Sequence, residues 1–259
     1  MQIVYAPAVE STQDLAMAAA HGGAAPGTVF LADLQTHGRG RRVVGELRRW
    51  HAPSGSSILM SIIVRPALDV AQSAMITLAA GVAAAEVLRG RAGLDVQLKW
   101  PNDLFVGGRK LGGILAEGCV DDGRLSAVIV GCGINVNLDL AELPEEVRAG
   151  ATSLSAEAGR SFDRLDLLTH LVPAIVEAAE RIADPATRPA MLSRWEALSA
   201  MTGREVTFSA QGQTRAGVAR GLEPDGALRV ELADGTLTAI RAGEVVFGEP
   251  KGADVLPVV

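Results

Sequence analysis

The sequence predicts an α+β fold in which a mixed domain of helices and strands precedes a small all-β domain. Helix-forming and β-branched segments are interspersed up to residue 202, and five short strand-like runs follow from residue 203. Only 3% of the residues are aromatic while 48% are apolar, which indicates an aliphatic core. We therefore predict two domains, 1–202 and 203–259.

The elements of the first domain are predicted in chain order. Ser11 to Asp14 supply an N-cap and an acidic first turn for a helix over about 12–21, which Gly22-Gly23 ends. Composition predicts strands over 28–34 and 57–65, and apolar spacing with many alanines predicts a helix over 70–88. Further strands are predicted near 95–99, 103–106, 110–117 and 125–137, and further helices over 166–182 and 189–200.

The second domain is predicted from the change after Gly203 to short strand-like runs. Its short runs are separated by the turn dipeptides Gln211-Gly212, Asp225-Gly226 and Asp234-Gly235. Regularly spaced short strands with such turns are typical of a small antiparallel barrel.

Charge and hydropathy exclude several classes of protein. The formal charge of −6 argues against broad electrostatic binding to nucleic acid or to an anionic membrane surface. The N-terminus has no signal-peptide pattern, and the apolar stretch over 74–88 is too short to span a bilayer. Cys119 and Cys132 cannot form a disulfide framework. We therefore expect a cytoplasmic protein.

Positive charge is concentrated in one stretch of this acidic chain. Between Gly38 and Trp50 there are five arginines and one glutamate, a local charge of +4. Of the 24 basic residues only three are lysines, Lys99, Lys110 and Lys251. An ammonium and a planar guanidinium contact anions differently, so the rare lysines are candidates for a specific role.

The first candidate motif is QTHGRGRR, residues 35–42, with SGSS at 54–57. Glycines allow close approach of the backbone to a ligand, and arginines present fork-shaped donors to phosphate or carboxylate oxygens. The stretch fits an anion-closing loop, and it also fits a solvated basic loop or a protein-contact surface.

The second motif is KWPND, residues 99–103, with RKLGG at 109–113. Pro101 disfavours helical geometry at Trp100, so a strand ends there and displays Asn102 and Asp103. Lys110 returns on the partner strand of a hairpin. A carboxylate near lysines favours a nucleotide or Mg²⁺ site; the alternative is an ordinary turn in which Lys110 protects a sheet edge.

The third motif is GCGIN, residues 131–135. Glycines within a strand mark a close approach or a bulge, and a bulged core strand with a buried Cys132 is the alternative. The histidines form no Ser-His-Asp or Cys-His pattern that indicates a catalytic nucleophile.

These motifs together, with SRWE before the barrel, resemble the biotin protein ligases, or biotin–[acetyl-CoA-carboxylase] ligases, from Ser11 to Phe247. The resemblance implies a class II synthetase-like catalytic domain with a mixed, mainly antiparallel central sheet, and a C-terminal SH3-like barrel. It also implies two reaction steps. Biotin and Mg-ATP give biotinyl-5′-adenylate and pyrophosphate, and a lysine of a biotin carboxyl carrier domain then takes the biotinyl group.

The resemblance assigns roles to matching residues. The catalytic cations are Lys110, Arg39 and Arg41. The biotin contacts are Ser11, Thr12, Gln13, Gln35, Arg39, Gly40, Arg41, Lys110, Gly112 and Gly113. The nucleotide contacts are Trp100, Asn102, Asp103, Gly131, Gly133 and Asn135, with Asp103 also the Mg²⁺ ligand. Because acyl adenylation joins two anions, the need for cations agrees with this set.

The resemblance sets further expectations. Residues from about 36 to 56 are expected to form a mobile lid that limits adenylate hydrolysis by excluding water. Only ten residues precede Ser11, so no winged-helix DNA-binding domain is expected. The expected partners are biotin, ATP and the carrier protein, without DNA or a membrane, for a monomer or homodimer.

Two alternatives remain at this point. A lipoate or octanoate ligase has a related fold, but KWPND with GRGR favours biotin. A non-catalytic biotin-binding protein is the other alternative, and the presence of Lys110 and Asp103 counts against it.

Overall fold

The structure, a computed structural model, describes residues 2–43, 46–210 and 213–248. The predicted Gln211-Gly212 turn, Lys251 and the tail from Pro250 lie outside the described residues.

The first domain is built on a seven-stranded central sheet. Its strands are β1 Gln2–Val9, β2 Thr28–Gln35, β5 Ser57–Val64, β6 Gln97–Lys99, β7 Asp103–Val106, β8 Arg109–Asp121 and β9 Arg124–Asn135, while β3 Arg39–Val43 and β4 Glu46–Arg49 form a separate hairpin. The sheet order is β1-β2-β5-β9-β8-β7-β6. β1 and β2 are parallel and the other neighbours are antiparallel, which confirms the predicted mixed, mainly antiparallel sheet.

Helices cover both faces of this sheet. They are α1 Thr12–His21, α2 Ala74–Ala92, α3 Glu145–Arg148, α4 Leu154–Ala158, α5 Arg164–Arg181 and α6 Arg188–Ala197. All eight residues of β5 are buried, because Ile63 packs toward α1 while Ile58 and Ile62 belong to the larger core that includes α2 and α5. A strand buried on both faces needs a nearly continuous apolar sequence, which SILMSIIV supplies.

The second domain is a five-stranded antiparallel sheet, as predicted for the barrel. Its strands are β10 Glu205–Ala210, β11 Gln213–Leu222, β12 Leu228–Leu232, β13 Leu237–Ile240 and β14 Val245–Phe247. They are ordered β13-β12-β11-β10-β14, so the last strand closes onto the first.

The two domains are in direct contact beside the KWPND segment. The Trp100 indole donates a hydrogen bond of 3.0 Å to the Gly226 carbonyl. The Phe105 and Phe247 rings meet edge to face with centroids 6.2 Å apart. The ring contact places β14 beside β7.

Several elements differ from the prediction, among them α3 and α4, which were not predicted. β1 was not predicted, because an exposed edge strand lacks the alternation of a half-buried one. The stretch predicted as a long loop contains the β3–β4 hairpin. The helix predicted over 70–88 is a 3-10 turn, Val70–Gln72, followed by α2, which ends at the left-handed Gly93.

No helix in the described ranges is long and apolar enough to cross a membrane.

Candidate functional site

A pocket lies where the start of α1, the β3–β4 hairpin, strands β7 to β9 and the barrel meet. It is lined by the predicted residues Ser11, Thr12, Gln13, Gln35, Arg39, Gly40, Arg41, Asn102, Asp103, Lys110, Gly113, Gly131, Gly133 and Asn135. Further lining residues include Trp50, Ser61, Lys99 and, from the barrel, Glu244 and Val245. Segments distant in sequence therefore converge on one concave surface.

A chain of hydrogen bonds forms the polar floor of the pocket at the start of α1. The Gln35 Oε1 accepts from the Thr12 backbone N–H at 2.8 Å and from its hydroxyl at 3.0 Å. The Thr12 Oγ1 lies 2.9 Å from the Ser61 Oγ, which donates to Gln13 Oε1 at 2.9 Å. Gln13 in turn donates to the Ile129 carbonyl at 3.1 Å. Buried groups held in this way present fixed donors and acceptors to a polar ligand.

Ser11 has a structural as well as a pocket-lining role. Its backbone is extended, and its hydroxyl accepts a hydrogen bond of 3.3 Å from the Gln13 N–H. The predicted helix cap is thus confirmed, and the same capping turn brings Ser11, Thr12 and Gln13 to the pocket.

The Lys110–Asp103 ion pair forms a second part of the pocket. The Lys110 Nζ lies 2.8 Å from Asp103 Oδ1. Strand pairing shifts from Leu104–Gly112 to Phe105–Lys110, and such a bulge re-aims the side chains beside it. The Lys110 backbone is also held by the Gly150 carbonyl and the Thr152 N–H, at 2.7 and 2.8 Å. Lys110 is therefore a positioned cation.

Electrostatics keep the Asp103 carboxyl ionised. Burial alone would raise the pKa of Asp103, but the positive charges of Lys110 and Lys99 outweigh it and hold the pKa below its ordinary value. An anion bound here would meet two ammonium groups beside one carboxylate.

Lys99 is a site residue that the sequence analysis singled out but did not assign. Its side chain is buried, and its Nζ lies 5.6 Å from the centroid of the Phe105 ring and 5.8 Å from that of Phe247. Burial lowers the pKa of Lys99, and the charge of Asp103 opposes that shift. The scarcity of lysine in this chain was the signal that pointed to it.

Two asparagines fix the backbone around the pocket. Asn102 donates to the Ile114 carbonyl at 3.0 Å, and Asn135 donates to the Thr152 carbonyl at 2.9 Å. The Asn102 Oδ1 is buried and accepts no hydrogen bond from any described residue. That oxygen is available to a ligand.

Two glycines of β9 allow side chains to lie against the strand. A Cβ on Gly131 would lie 2.5 Å from Gln13 Oε1, and one on Gly133 would lie 2.8 Å from the Trp50 ring. Both distances are too short for real Cβ contacts, so glycine is required for these side chains to reach their positions.

The hairpin arginines connect the pocket to its surroundings. Arg39 forms an ion pair with Asp14 on α1 and lies 4.0 Å from Glu117 on β8. Arg41 donates a hydrogen bond of 3.2 Å to the Gly243 carbonyl of the barrel. The hairpin thus contacts both domains.

Two predicted residues do not line the pocket. The Trp100 side chain is buried and directed to Gly226, at the contact between the domains. At Gly112 the close contact is with β9, since a Cβ there would lie 2.6 Å from the Gly133 carbonyl. Ser61, Trp50 and the barrel residues were not predicted as site residues; a single serine within the apolar strand SILMSIIV was the available signal for Ser61.

Comparisons with known proteins confirm the resemblance that the motifs predicted. The profile of the biotin/lipoate A/B protein ligase family matches residues 5–135, and that of the biotin protein ligase C-terminal domain matches residues 202–248. The bifunctional ligase/repressor BirA of Bacillus spizizenii is 34% identical over 95% of this chain and 74% of its own length. The biotin–[acetyl-CoA-carboxylase] ligase of Mycobacterium tuberculosis is 32% identical over 94% of this chain and 87% of its own length.

A solved structure is similar over nearly the whole chain. The biotin protein ligase from Aquifex aeolicus, in complex with biotin and ATP, has a TM-score of 0.77 and 26% sequence identity to this protein. The similarity covers 95% of this chain and 99% of that chain.

Proposed function

We propose that this chain, which belongs to the biotin/lipoate A/B protein ligase family, is a biotin protein ligase. In the first step a biotin carboxylate oxygen attacks the α-phosphorus of ATP, the bond to the β-phosphate bridging oxygen breaks, and pyrophosphate leaves. In the second step the amine of a carrier lysine attacks the acyl carbon, AMP leaves, and the amine proton passes to solvent. The observation that carries the proposal is one pocket that combines a buried polar floor with positioned cations.

The polar floor is the proposed site for the biotin head group. A ureido group offers two N–H donors and one carbonyl acceptor. Thr12, Gln13, Gln35 and Ser61 supply both oxygen acceptors and hydroxyl or amide donors within one connected network. Ser11 is proposed to act with them, and Ser61 is added to the residues predicted from the sequence.

The proposed catalytic cations are Lys110, Arg39 and Arg41. Carboxylate and triphosphate repel each other, so positive charge must offset that repulsion and the charge that develops at the α-phosphorus. The strand pairing of Lys110 supports this role, and Lys99 is a second lysine that lines the same pocket. The glycines proposed to let backbone approach the ligand here are Gly40 and Gly113.

The nucleotide is proposed to lie along Asn102, Asp103, Gly131, Gly133 and Asn135. Mg²⁺ prefers oxygen ligands and is often held by one or two protein groups together with substrate phosphates. The ionised Asp103 and the Asn102 oxygen without a partner among the described residues fit that donor set. When bound, Mg²⁺ would offset triphosphate charge.

The acceptor is proposed to be a biotin carboxyl carrier domain, because the Mycobacterium tuberculosis relative is named as a ligase of acetyl-CoA carboxylase. Two free cysteines, Cys119 and Cys132, favour a reducing cytoplasm. The β3–β4 hairpin is proposed as the lid, because its arginines reach both α1 and the barrel.

ATP–pyrophosphate exchange tests the proposal. The purified chain is assayed with biotin, with lipoate and with neither, and a matched control is Arg220→Gln on the exposed side of β11. We expect exchange that depends on biotin in both proteins. Absence of biotin-dependent exchange would overturn the proposal. Exchange that depends on lipoate would show that lipoate, and not biotin, is the substrate. Transfer is then measured as the mass increase of an added carrier domain.

A further inference from the structure

Three side chains that commonly bind transition metals meet at the far end of α1 from the pocket. The His21 Nδ1 lies 3.4 Å from Cys119 Sγ and 3.4 Å from Asp121 Oδ1. The ligand atoms of all three residues lie within 4.8 Å of one another. His21, Cys119 and Asp121 are called the α1-end cluster below.

The fold places these residues together. Cys119 and Asp121 are two positions apart on β8, so they point to the same face of the sheet. The register of β8 with β9 shifts beside Cys119, leaving Ser126 as an extra residue whose hydroxyl bonds the Cys119 carbonyl at 3.1 Å. α1 packs on this face and ends at His21.

The observed distances match those around a tetrahedral zinc ion. Zinc binds Cys sulfur at about 2.3 Å and His nitrogen at about 2.0 Å, so neighbouring sulfur and nitrogen ligands lie about 3.5 Å apart. Nitrogen and carboxylate oxygen ligands lie about 3.4 Å apart on the same geometry. The distances from the His21 Nδ1 to Cys119 Sγ and to Asp121 Oδ1 are already close to these values.

The surroundings also suit a cation. The side chains of His21 and Asp121 are about half exposed, at 50% and 55%, while Cys119 is buried beneath them. An ion arriving from solvent would therefore meet the His21 and Asp121 side chains before the sulfur. Arg65 already binds the nearby Ala20 and Ala24 carbonyls, at 2.9 and 3.1 Å, so the three side chains remain as the ligands.

We propose that the α1-end cluster binds one zinc-type divalent cation with water as the fourth ligand. Binding displaces the thiol proton of Cys119 to solvent, because the thiolate is the ligand. The bound ion links the end of α1, through His21, to the end of β8, through Cys119 and Asp121. Because the other end of α1 carries Ser11, Thr12 and Gln13, the ion supports a helix whose first turn lines the pocket.

Titration of the whole, metal-free chain with Co²⁺ and then Zn²⁺ tests this proposal. We expect one equivalent of Co²⁺ to give a thiolate-to-metal charge-transfer band, which one equivalent of Zn²⁺ removes. Zn²⁺ should also raise the Tm. Cys119→Ser should abolish the band, and His21→Gln and Asp121→Asn should each weaken binding by about tenfold or more. His170→Gln and Cys132→Ser are the matched controls and should bind as the unaltered chain does.

Several results would overturn the proposal. They are the absence of a stoichiometric charge-transfer band, a band that persists in Cys119→Ser, or unchanged affinity in both His21→Gln and Asp121→Asn. Those two side chains are half exposed, so their variants test the site even if Cys119→Ser fails to fold. In each of these cases His21 and Asp121 lie in contact above a buried thiol and hold no metal ion.

Discussion

The indole of Trp50 lies against Gly133, where an added Cβ would stand 2.8 Å from Trp50 Cε2. The Lys110 Nζ lies 5.8 Å from the centroid of the same indole. The tryptophan that ends the hairpin is thereby part of the wall beside the proposed catalytic lysine.

Gly133→Ala is expected to displace that indole. Displacements of about 1 Å near reacting groups cost about 10²-fold in rate, so we expect adenylate formation to slow by roughly 10–100-fold. Single-turnover kinetics and tryptophan fluorescence measure the two effects. Gly90→Ala, where nothing lies within 4 Å of the new Cβ, is the control. Wild-type kinetics in Gly133→Ala would show that the contact is not needed.

Lys110→Ala is expected to slow adenylate formation far more than it weakens ATP binding. Loss of one positioned electrostatic group costs about 10²–10³-fold in rate. Rapid-quench measurement of adenylate and equilibrium binding of ATP separate the two quantities. Lys110→Arg keeps the charge but changes its shape, so an intermediate rate is expected. An unchanged single-turnover rate in Lys110→Ala would contradict the assigned role.

Asp103→Asn is expected to make the protein less sensitive to acid. The pKa of Asp103 in the folded chain lies below the ordinary 3.8, so its stabilising effect is complete above that value. The effect is lost as pH falls through the folded-state pKa. The free energy of unfolding should therefore fall less between pH 5 and the acid transition in Asp103→Asn than in the unaltered chain. Denaturant titrations at several pH values measure this difference. Glu180→Gln, on the exposed side of α5, should retain the original dependence, and an unchanged dependence in Asp103→Asn would count against the ion pair.

Trp100→Phe is expected to weaken the contact between the domains. It removes the hydrogen bond to Gly226, and such bonds contribute about 1 kcal/mol to the free energy of unfolding. Denaturant unfolding measures that loss, and the KM for ATP reports on the nucleotide role predicted from the sequence. We expect lower stability with little change in KM. A raised KM for ATP with an unchanged free energy of unfolding would instead support the predicted role of Trp100 in nucleotide binding.

Local patterns allowed much of the fold to be predicted. α1 followed from its Ser11 cap, and the barrel strands followed from turn dipeptides such as Asp225-Gly226. These signals are local because the hydrogen bonds of a helix cap or a turn are made within a few residues. Of the 16 residues that the family's motifs assigned to the site, 14 line the pocket.

Contacts between residues far apart in the chain could not be predicted from the sequence. Ser61 bonds Gln13 from 48 positions away, and nothing local distinguishes it from an ordinary buried serine. The β3–β4 hairpin was missed because its arginine-rich sequence has no apolar alternation. The barrel's contribution of Glu244 and Val245 to the pocket depends on how the domains pack.

That contribution also sets when the site can form during synthesis. One side of the pocket is supplied by Ser11, between β1 and α1, and another by Glu244 and Val245 beside β14. A nascent chain that has not yet released β14 lacks the barrel side of this pocket and cannot complete it. Substrate capture is therefore delayed until the barrel has emerged and closed.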